Sequence, residues 1–203
     1  MRGLVATLAL ATTLVVPVLA LAASEPTRAQ IVAELARVHI TPRATDHTLV
    51  VFAGSMEPTL RCAKPGTACS AAVADHVFAR PIAFRAIRRG MIVVVATPDL
   101  ARARCGATVI LVKRVAGLPG DLVEERAGRV FINGKAVKEP YVKPANRDFR
   151  TIAPKRVPPR DLYLLGDNRV TSCDSRTWGM LPSASVLARA IAIYWPHTRT
   201  RRL

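Results

Sequence analysis

The chain has few acidic residues and few aromatics. Of 203 residues only 14 are Asp or Glu, against 30 Lys and Arg, so the formal net charge is +16, and Phe, Trp and Tyr together make 5%. So large an excess of positive charge predicts attraction to polyanions, and nucleic acid and an anionic membrane surface are both eligible. No internal repeat is present, and the 15 prolines and 11 glycines are scattered, which excludes collagen-like, coiled-coil and low-complexity architectures. A hydrophobic content of 50% excludes a wholly disordered chain. Cysteine is also scarce. Cys62, Cys69, Cys105 and Cys173 lack the paired spacing of a zinc site, so no metal and no other cofactor is expected. An even count in an exported domain favours disulfides, and three connectivities are open. The pairing favoured here is Cys62–Cys69, around the turn Lys64-Pro65-Gly66-Thr67, with Cys105–Cys173.

Charge is absent from residues 4–23, LVATLALATTLVVPVLALAA. Some 20 uncharged, mostly apolar residues are enough to cross the hydrocarbon core of a bilayer as a helix. Arg2 and the amino group precede the run, which predicts an N-terminus kept in the cytoplasm and the remainder exported. A cleavable signal peptide is the competing reading, because Ala20-Leu21-Ala22 before Ala23 has the small-x-small form of a cleavage site. The expected organisation is a cytoplasmic tip at 1–3, a single-pass signal anchor at 4–23, a membrane-proximal helix or linker at 24–46, and an extracytoplasmic domain at 47–203.

Helical spacing is confined to the segment just after the span. Ser24-Glu25-Pro26-Thr27 reads as a helix start, with Ile31, Val32, Leu35 and Val38 on one face. Beyond Pro42 no long helical pattern occurs. Short apolar runs follow at 48–53, 91–97, 108–115, 121–125, 129–133, 161–165 and 186–195, most of them bounded by Gly or Pro. Asn133-Gly134 is a strong hairpin signal and Arg126-Ala127-Gly128 a second turn. The expected fold is mainly β, a partly open barrel of antiparallel sheets, with coil-rich stretches at 61–90 and 139–160.

Three segments carry residues suited to chemistry. In Gly54-Ser55-Met56-Glu57-Pro58-Thr59-Leu60 a serine follows a strand, where its hydroxyl and amide can meet a substrate carbonyl; otherwise it is an ordinary turn serine. Lys113 lies among Val109, Ile110, Leu111, Val112 and Val115. Alternation puts Leu111, Lys113 and Val115 on one face, where burial would depress the lysine pKa and yield a neutral base. The alternative is an exposed edge-strand lysine that deters aggregation, with Arg114 on the opposite face. The third segment, Leu165-Gly166-Asp167-Asn168-Arg169 through Ser172-Cys173-Asp174-Ser175-Arg176-Thr177-Trp178-Gly179, is either an ordered loop fixed by Asp–Arg pairs or a solvated polar loop. His39, His47, His76 and His197 sit beside no candidate nucleophile, so a serine–lysine pair is more economical than a triad.

Together the three segments resemble the type I signal peptidases, membrane-bound serine proteases that remove signal peptides from exported proteins. Gly54–Thr59 looks like the nucleophile box, Lys113-Arg114-Val115-Ala116-Gly117-Leu118-Pro119-Gly120-Asp121 like the general-base box, and Gly166–Arg169 through Asp174–Arg176 like the C-terminal box. The resemblance covers about residues 47 to 195. It implies Ser55 as nucleophile, Lys113 as neutral general base, Ser172 as the serine that orients the lysine amine, and Asp174 with Arg176 as an ion pair beside the dyad. It also puts Asp167 and Arg169 in the supporting loop. Two departures stand out. Ala53 occupies a position where some relatives carry a serine hydroxyl in the oxyanion hole, so the Ser55 amide must supply most of that stabilisation. Val170-Thr171 replaces a frequent Asp-Asn pair.

The resemblance further implies that substrate lies as an added strand along an exposed edge. Leu49, Val51, Met56, Leu60 and Val112, with Ala53, would line shallow apolar pockets that favour Ala-x-Ala sequences. Core packing is the alternative for Leu49 and Leu60. The implied partners are preprotein signal peptides and anionic membrane lipids rather than nucleic acid, with Arg85, Arg88, Arg89, the 147–160 run and the Arg199–Arg202 tail facing lipid. A self-cleaving repressor, a peptidase with a narrow substrate and a non-enzymatic basic binding protein remain the competing classes.

Overall fold

The computed structural model describes residues 26–62, 74–107 and 110–203. The apolar run at 4–23 and Cys69 lie outside the described residues. Among the described residues no helix is long and apolar enough to cross a membrane.

A helix α1, Arg28–Arg37, opens the described chain. Thr27 caps it by a capping box in which Gln30 bonds back to the cap backbone, satisfying two donors that a helix start otherwise leaves orphaned. Leu35, with Ile31 and Val38, packs on Phe78, Ala192 and Tyr194. Glu34 accepts a hydrogen bond from Thr200 Oγ1 at 2.6 Å. The helix is therefore built into the domain rather than standing apart as a linker.

The rest is mainly β. The strands are β1 (His47–Val50), β2 (His76–Arg80), β3 (Ile92–Ala96), β4 (Ile110–Gly117), β5 (Leu122–Arg126), β6 (Arg129–Ile132), β7 (Lys135–Ala136), β8 (Ile152–Arg156), β9 (Asp161–Leu165), β10 (Leu181–Pro182), β11 (Val186–Trp195) and β12 (Arg201–Arg202). The larger sheet runs β1-β2-β11-β3-β4-β9-β10, with β12 added to β11. Its end strands β1 and β10 do not pair with each other, so the barrel stays open. The smaller sheet runs β7-β6-β5-β8. Every pairing is antiparallel.

Burial on both faces explains the unbroken apolar runs. In β9, Leu162 and Leu164 enter one buried cluster with Val93, Val115 and Trp178, while Tyr163 and Leu165 enter another with Val123 and Ile132. Such a strand cannot alternate with polar residues without burying them. The two hairpins read from the sequence form: Arg126 pairs with Arg129 across Ala127 and Gly128, and Ile132 with Lys135 across Asn133 and Gly134. All four loop residues have positive φ, between 47° and 78°, as a two-residue turn matched to strand twist requires.

The two stretches expected to be coil each contain a strand. β2 lies inside 61–90 and is nearly all buried between β1 and β11, so it shows no alternation to betray it. β8 lies inside 139–160, is largely exposed and contains Pro154, which an edge strand tolerates. A short helix α2, Asp99–Cys105, ends at Gly106 in the left-handed region, and α3 is Ser175–Trp178.

Candidate active site

Ser55 sits in a single 3₁₀ turn, Gly54–Met56, just beyond β1. Lys113 comes from the middle of β4, which is paired on one side with β3 and on the other with β9. β4 is thus an interior strand, and the edge-strand reading of Lys113 fails. The lysine is 2% exposed. Its Nζ donates to Ser55 Oγ at 2.8 Å and to the Val112 carbonyl at 3.1 Å. Burial pushes its pKa down to about 8, against the opposing pull of the Asp174 and Asp167 carboxylates and with some help from the Arg176 guanidinium. A hydroxyl held against a desolvated amine is the geometry of a nucleophile and its base.

The third segment wraps this pair. Asn168 N–H donates to the Ser55 carbonyl at 3.0 Å. Asp174 is fully buried, caps α3 and accepts Gly166 N–H at 3.0 Å. Arg176 grips both Asp174 oxygens, at 2.7 and 2.8 Å, and also donates to Asp148 and to the Arg169 carbonyl. The Asp–Arg pairing inferred between 174 and 176 is therefore present, and the loop is ordered. Asp167 and Arg169 lie in the same layer and take partners from outside the loop. Asp167 takes a fork of two bonds from Arg114, at 2.8 and 2.6 Å, and one from Thr59 Oγ1. Arg169, 1% exposed, pairs with Glu139 and donates to the Gly166 carbonyl.

Ser172 lies in this layer, but its buried Oγ has no hydrogen-bond partner. The bond to the Lys113 amine that the resemblance implies is not made; the Val112 carbonyl and Ser55 Oγ hold the amine instead. The pocket residues also differ from expectation. Val51, Met56 and Leu60 are buried together in one cluster with Val77 and Ile193, while Leu49 and Val112 remain half-buried beside it and Ala53 is exposed. Core packing thus holds for Val51 and Met56 as well as Leu60. Only Leu49, Ala53 and Val112 offer surface.

Arg114, Thr59, Glu139, Asp148 and Glu125 complete the site and were not singled out from the sequence. Arg114 adjoins Lys113, and its place in a strand read as apolar was the only local sign of it. Glu125 is buried, with neither carboxylate oxygen hydrogen-bonded, 4.0 Å from Arg176; burial pushes its pKa up to about 7 despite that cation. Among the described residues no cluster of side chains suits a metal ion.

A disulfide joins Cys105, at the end of α2, to Cys173, between Ser172 and Asp174. No described cysteine is free. The bridge closes 68 residues of chain, for which the chain-entropy model gives about 4 kcal/mol. The Cys105→Ser/Cys173→Ser double variant is expected to lower unfolding free energy by ~2–4 kcal/mol in urea titration. An unchanged midpoint would show that the loop is held by its ion pairs alone.

With this geometry in view, the relationship to known proteins is clear. The family described as signal peptidase, peptidase S26 matches residues 27–195, and the chain belongs to it. Similar relatives include a signal peptidase I of Leptolyngbya laminosa, 37% identical over 121 residues, 59% of each chain. Another is the probable signal peptidase I-2 of Synechocystis, 35% identical over 147 residues, 71% of this chain and 61% of that one. A crystal structure of a signal peptidase I from Enterococcus faecalis V583 is 29% identical, covers 51% of this chain and 95% of that one, and has a TM-score of 0.41. The chain spans about three fifths of the length of these two curated relatives.

Proposed function

We propose that this chain is a membrane-anchored serine endopeptidase that cuts signal peptides from exported preproteins after small residues, with Ser55 as nucleophile and Lys113 as general base. The observation that carries the reading is the 2.8 Å contact between Ser55 Oγ and the buried Lys113 Nζ. Membership of the signal peptidase family supports the substrate class. The uncharged run at 4–23 supports the anchor.

In this mechanism neutral Lys113 takes the Ser55 proton as Oγ attacks the scissile carbonyl carbon. Negative charge develops on the carbonyl oxygen, and the Ser55 amide is the donor best placed to meet it, since Ala53 has no hydroxyl to offer. Collapse breaks the C–N bond, and the Lys113 ammonium protonates the leaving amine. Water then attacks the Ser55 ester, giving one proton to Lys113 that returns to Oγ as the carboxylic acid product leaves and releases its remaining proton to solvent. The substrate would extend the larger sheet at β1, which among the described residues pairs only with β2. Its small side chains before the cut would meet Leu49, Ala53 and Val112.

The deciding experiment is incubation of the purified chain with a preprotein bearing an Ala-x-Ala site, followed by N-terminal sequencing of the product. A new terminus directly after that site supports the reading; an uncut preprotein sinks it. The pH dependence follows from Lys113. With a pKa of about 8, roughly a tenth of the amine is neutral at pH 7. kcat/KM is expected to rise about tenfold per pH unit up to about pH 8 and then level. A profile flat between pH 5 and 8 counts against a lysine base.

A further inference from the structure

A cavity elsewhere in the domain shares no lining residue with the Ser55–Lys113 site. It measures about 890 Å³ and lies where the segment after α1 meets the ends of β2, β11 and β12. Four arginines line it: Arg43, Arg80, Arg189 and Arg202, over a floor that includes Ile82 and Ile191. Arg80 and Arg189 are direct cross-strand partners in the β2–β11 ladder. Like charges in that relation repel and destabilise a sheet unless an anion intervenes.

Part of that repulsion is relieved internally. Asp46 takes two bonds from Arg80, at 2.8 and 2.7 Å, and one from the Arg43 backbone N–H at 2.8 Å. Its carboxylate is thereby committed. Among the described residues Arg202 donates only to the His39 carbonyl, and no carboxylate makes an ion pair with Arg43, Arg189 or Arg202. The neighbouring arginines of the C-terminal segment are tied down: Arg199 forks onto Asp75, and Arg201 donates to the Thr59 carbonyl. The guanidiniums of Arg43, Arg189 and Arg202 thus line one open cavity without an ion pair among the described residues, with the Asp46 carboxylate beside Arg43. Guanidinium stays charged at any working pH, and its planar fork matches phosphate oxygens two at a time.

We infer that this cavity is a binding site for a phosphate-bearing anion, with Arg43, Arg189 and Arg202 as its ligands and Asp46 holding Arg80 in place beside them. The cavity is roomier than one phosphate needs and has apolar walls, so the source favoured is the headgroup of an anionic phospholipid, with free phosphate sharing the same chemistry. The lipid source rests on the membrane-anchored reading; the anion site does not.

The test uses the full chain in a neutral detergent, titrated calorimetrically with short-chain phosphatidylglycerol, with short-chain phosphatidylcholine and with inorganic phosphate. The comparison is an Arg43→Gln/Arg189→Gln double variant. Saturable binding of phosphatidylglycerol, weakened at least tenfold in the variant and absent for phosphatidylcholine, is the expected result. Removing two of 30 basic residues changes diffuse attraction little, so such a loss reports the cavity. Saturable binding of inorganic phosphate alone, lost in the variant, would keep the anion site and remove lipid as its source. No saturable binding of either probe, or binding undiminished in the variant, overturns the proposal. Preprotein cleavage in the same detergent is expected to be equal in both proteins. A chain that binds the anion and cuts nothing would therefore fail as a peptidase without touching this inference.

Discussion

Replacing Lys113 by methionine is expected to lower kcat for preprotein cleavage by ~10⁴-fold or more, with Ser55→Ala causing a loss of the same order. The two losses should not add. A nucleophile and its base act as a unit, so the Ser55→Ala/Lys113→Met double variant should be about as inactive as either single one. Methionine is the informative choice at 113 because its volume is close to that of the lysine stem and it carries no amine. The position is 2% exposed, and a desolvated amine is costly to keep there, so the variant should unfold at the same temperature as the parent or higher. Inactivity joined to undiminished stability separates a chemical role from a structural one. Retained cleavage in either single variant would remove the pair from the mechanism.

What the sequence discloses about this site depends on how far apart the interacting groups lie. Ser55, Lys113 and the 166–176 loop stand in short contiguous segments whose residue types are unusual for their surroundings: a serine in a turn after a strand, a lysine in an apolar run, alternating Asp and Arg between glycines. Their partners are not local. Asp167 meets Arg114 across 53 positions, Arg169 meets Glu139 across 30, and Arg176 meets Asp148 across 28. No periodicity links such residues, so the sequence places Asp167 and Arg169 in the supporting loop without disclosing what either one binds. The arginines assigned to a lipid-facing tail illustrate the same limit. Arg199 and Arg201 bind Asp75 and the Thr59 carbonyl, contacts formed only once β11 has brought the chain end back across the sheet.

The fold itself was more legible. Strands that face two buried clusters, such as β9, announce themselves by unbroken apolar runs, and hairpins by residues that accept positive φ. β2 was lost because it is short and closes with Arg80, and β8 because its residues are mostly polar and include a proline. Both depend on neighbours, β11 and β5, to become strands at all, which is tertiary context overriding local preference.

Gly166→Ala should also impair cleavage severely, though less than loss of the base, by a route that involves no titrating group. A Cβ at Gly166 would come closer than 3.0 Å to the Ser55 carbonyl oxygen and to Ser172 Oγ and Cβ. Ser172 Oγ can rotate away, but its Cβ cannot, and the Ser55 carbonyl is backbone that Asn168 N–H already fixes at 3.0 Å. The added methyl must therefore push the 3₁₀ turn that carries Ser55 away from β4 and lengthen the 2.8 Å contact with Lys113. A displacement of about 1 Å from the reactive geometry costs ~10²-fold, and overpacking of this kind destabilises by about 1–3 kcal/mol. The expected readout is a fall in kcat of ~10²-fold or more with a small drop in unfolding temperature. Gly54→Ala is the matched comparison. A Cβ there meets nothing nearer than 3.6 Å, the Glu57 side chain, so that variant should fold as the parent does, and any loss of activity in it must arise from substrate approaching the Gly54 backbone. Equal activity of Gly166→Ala and the parent would mean that the turn bearing Ser55 yields without cost, and that the third segment does not position the nucleophile.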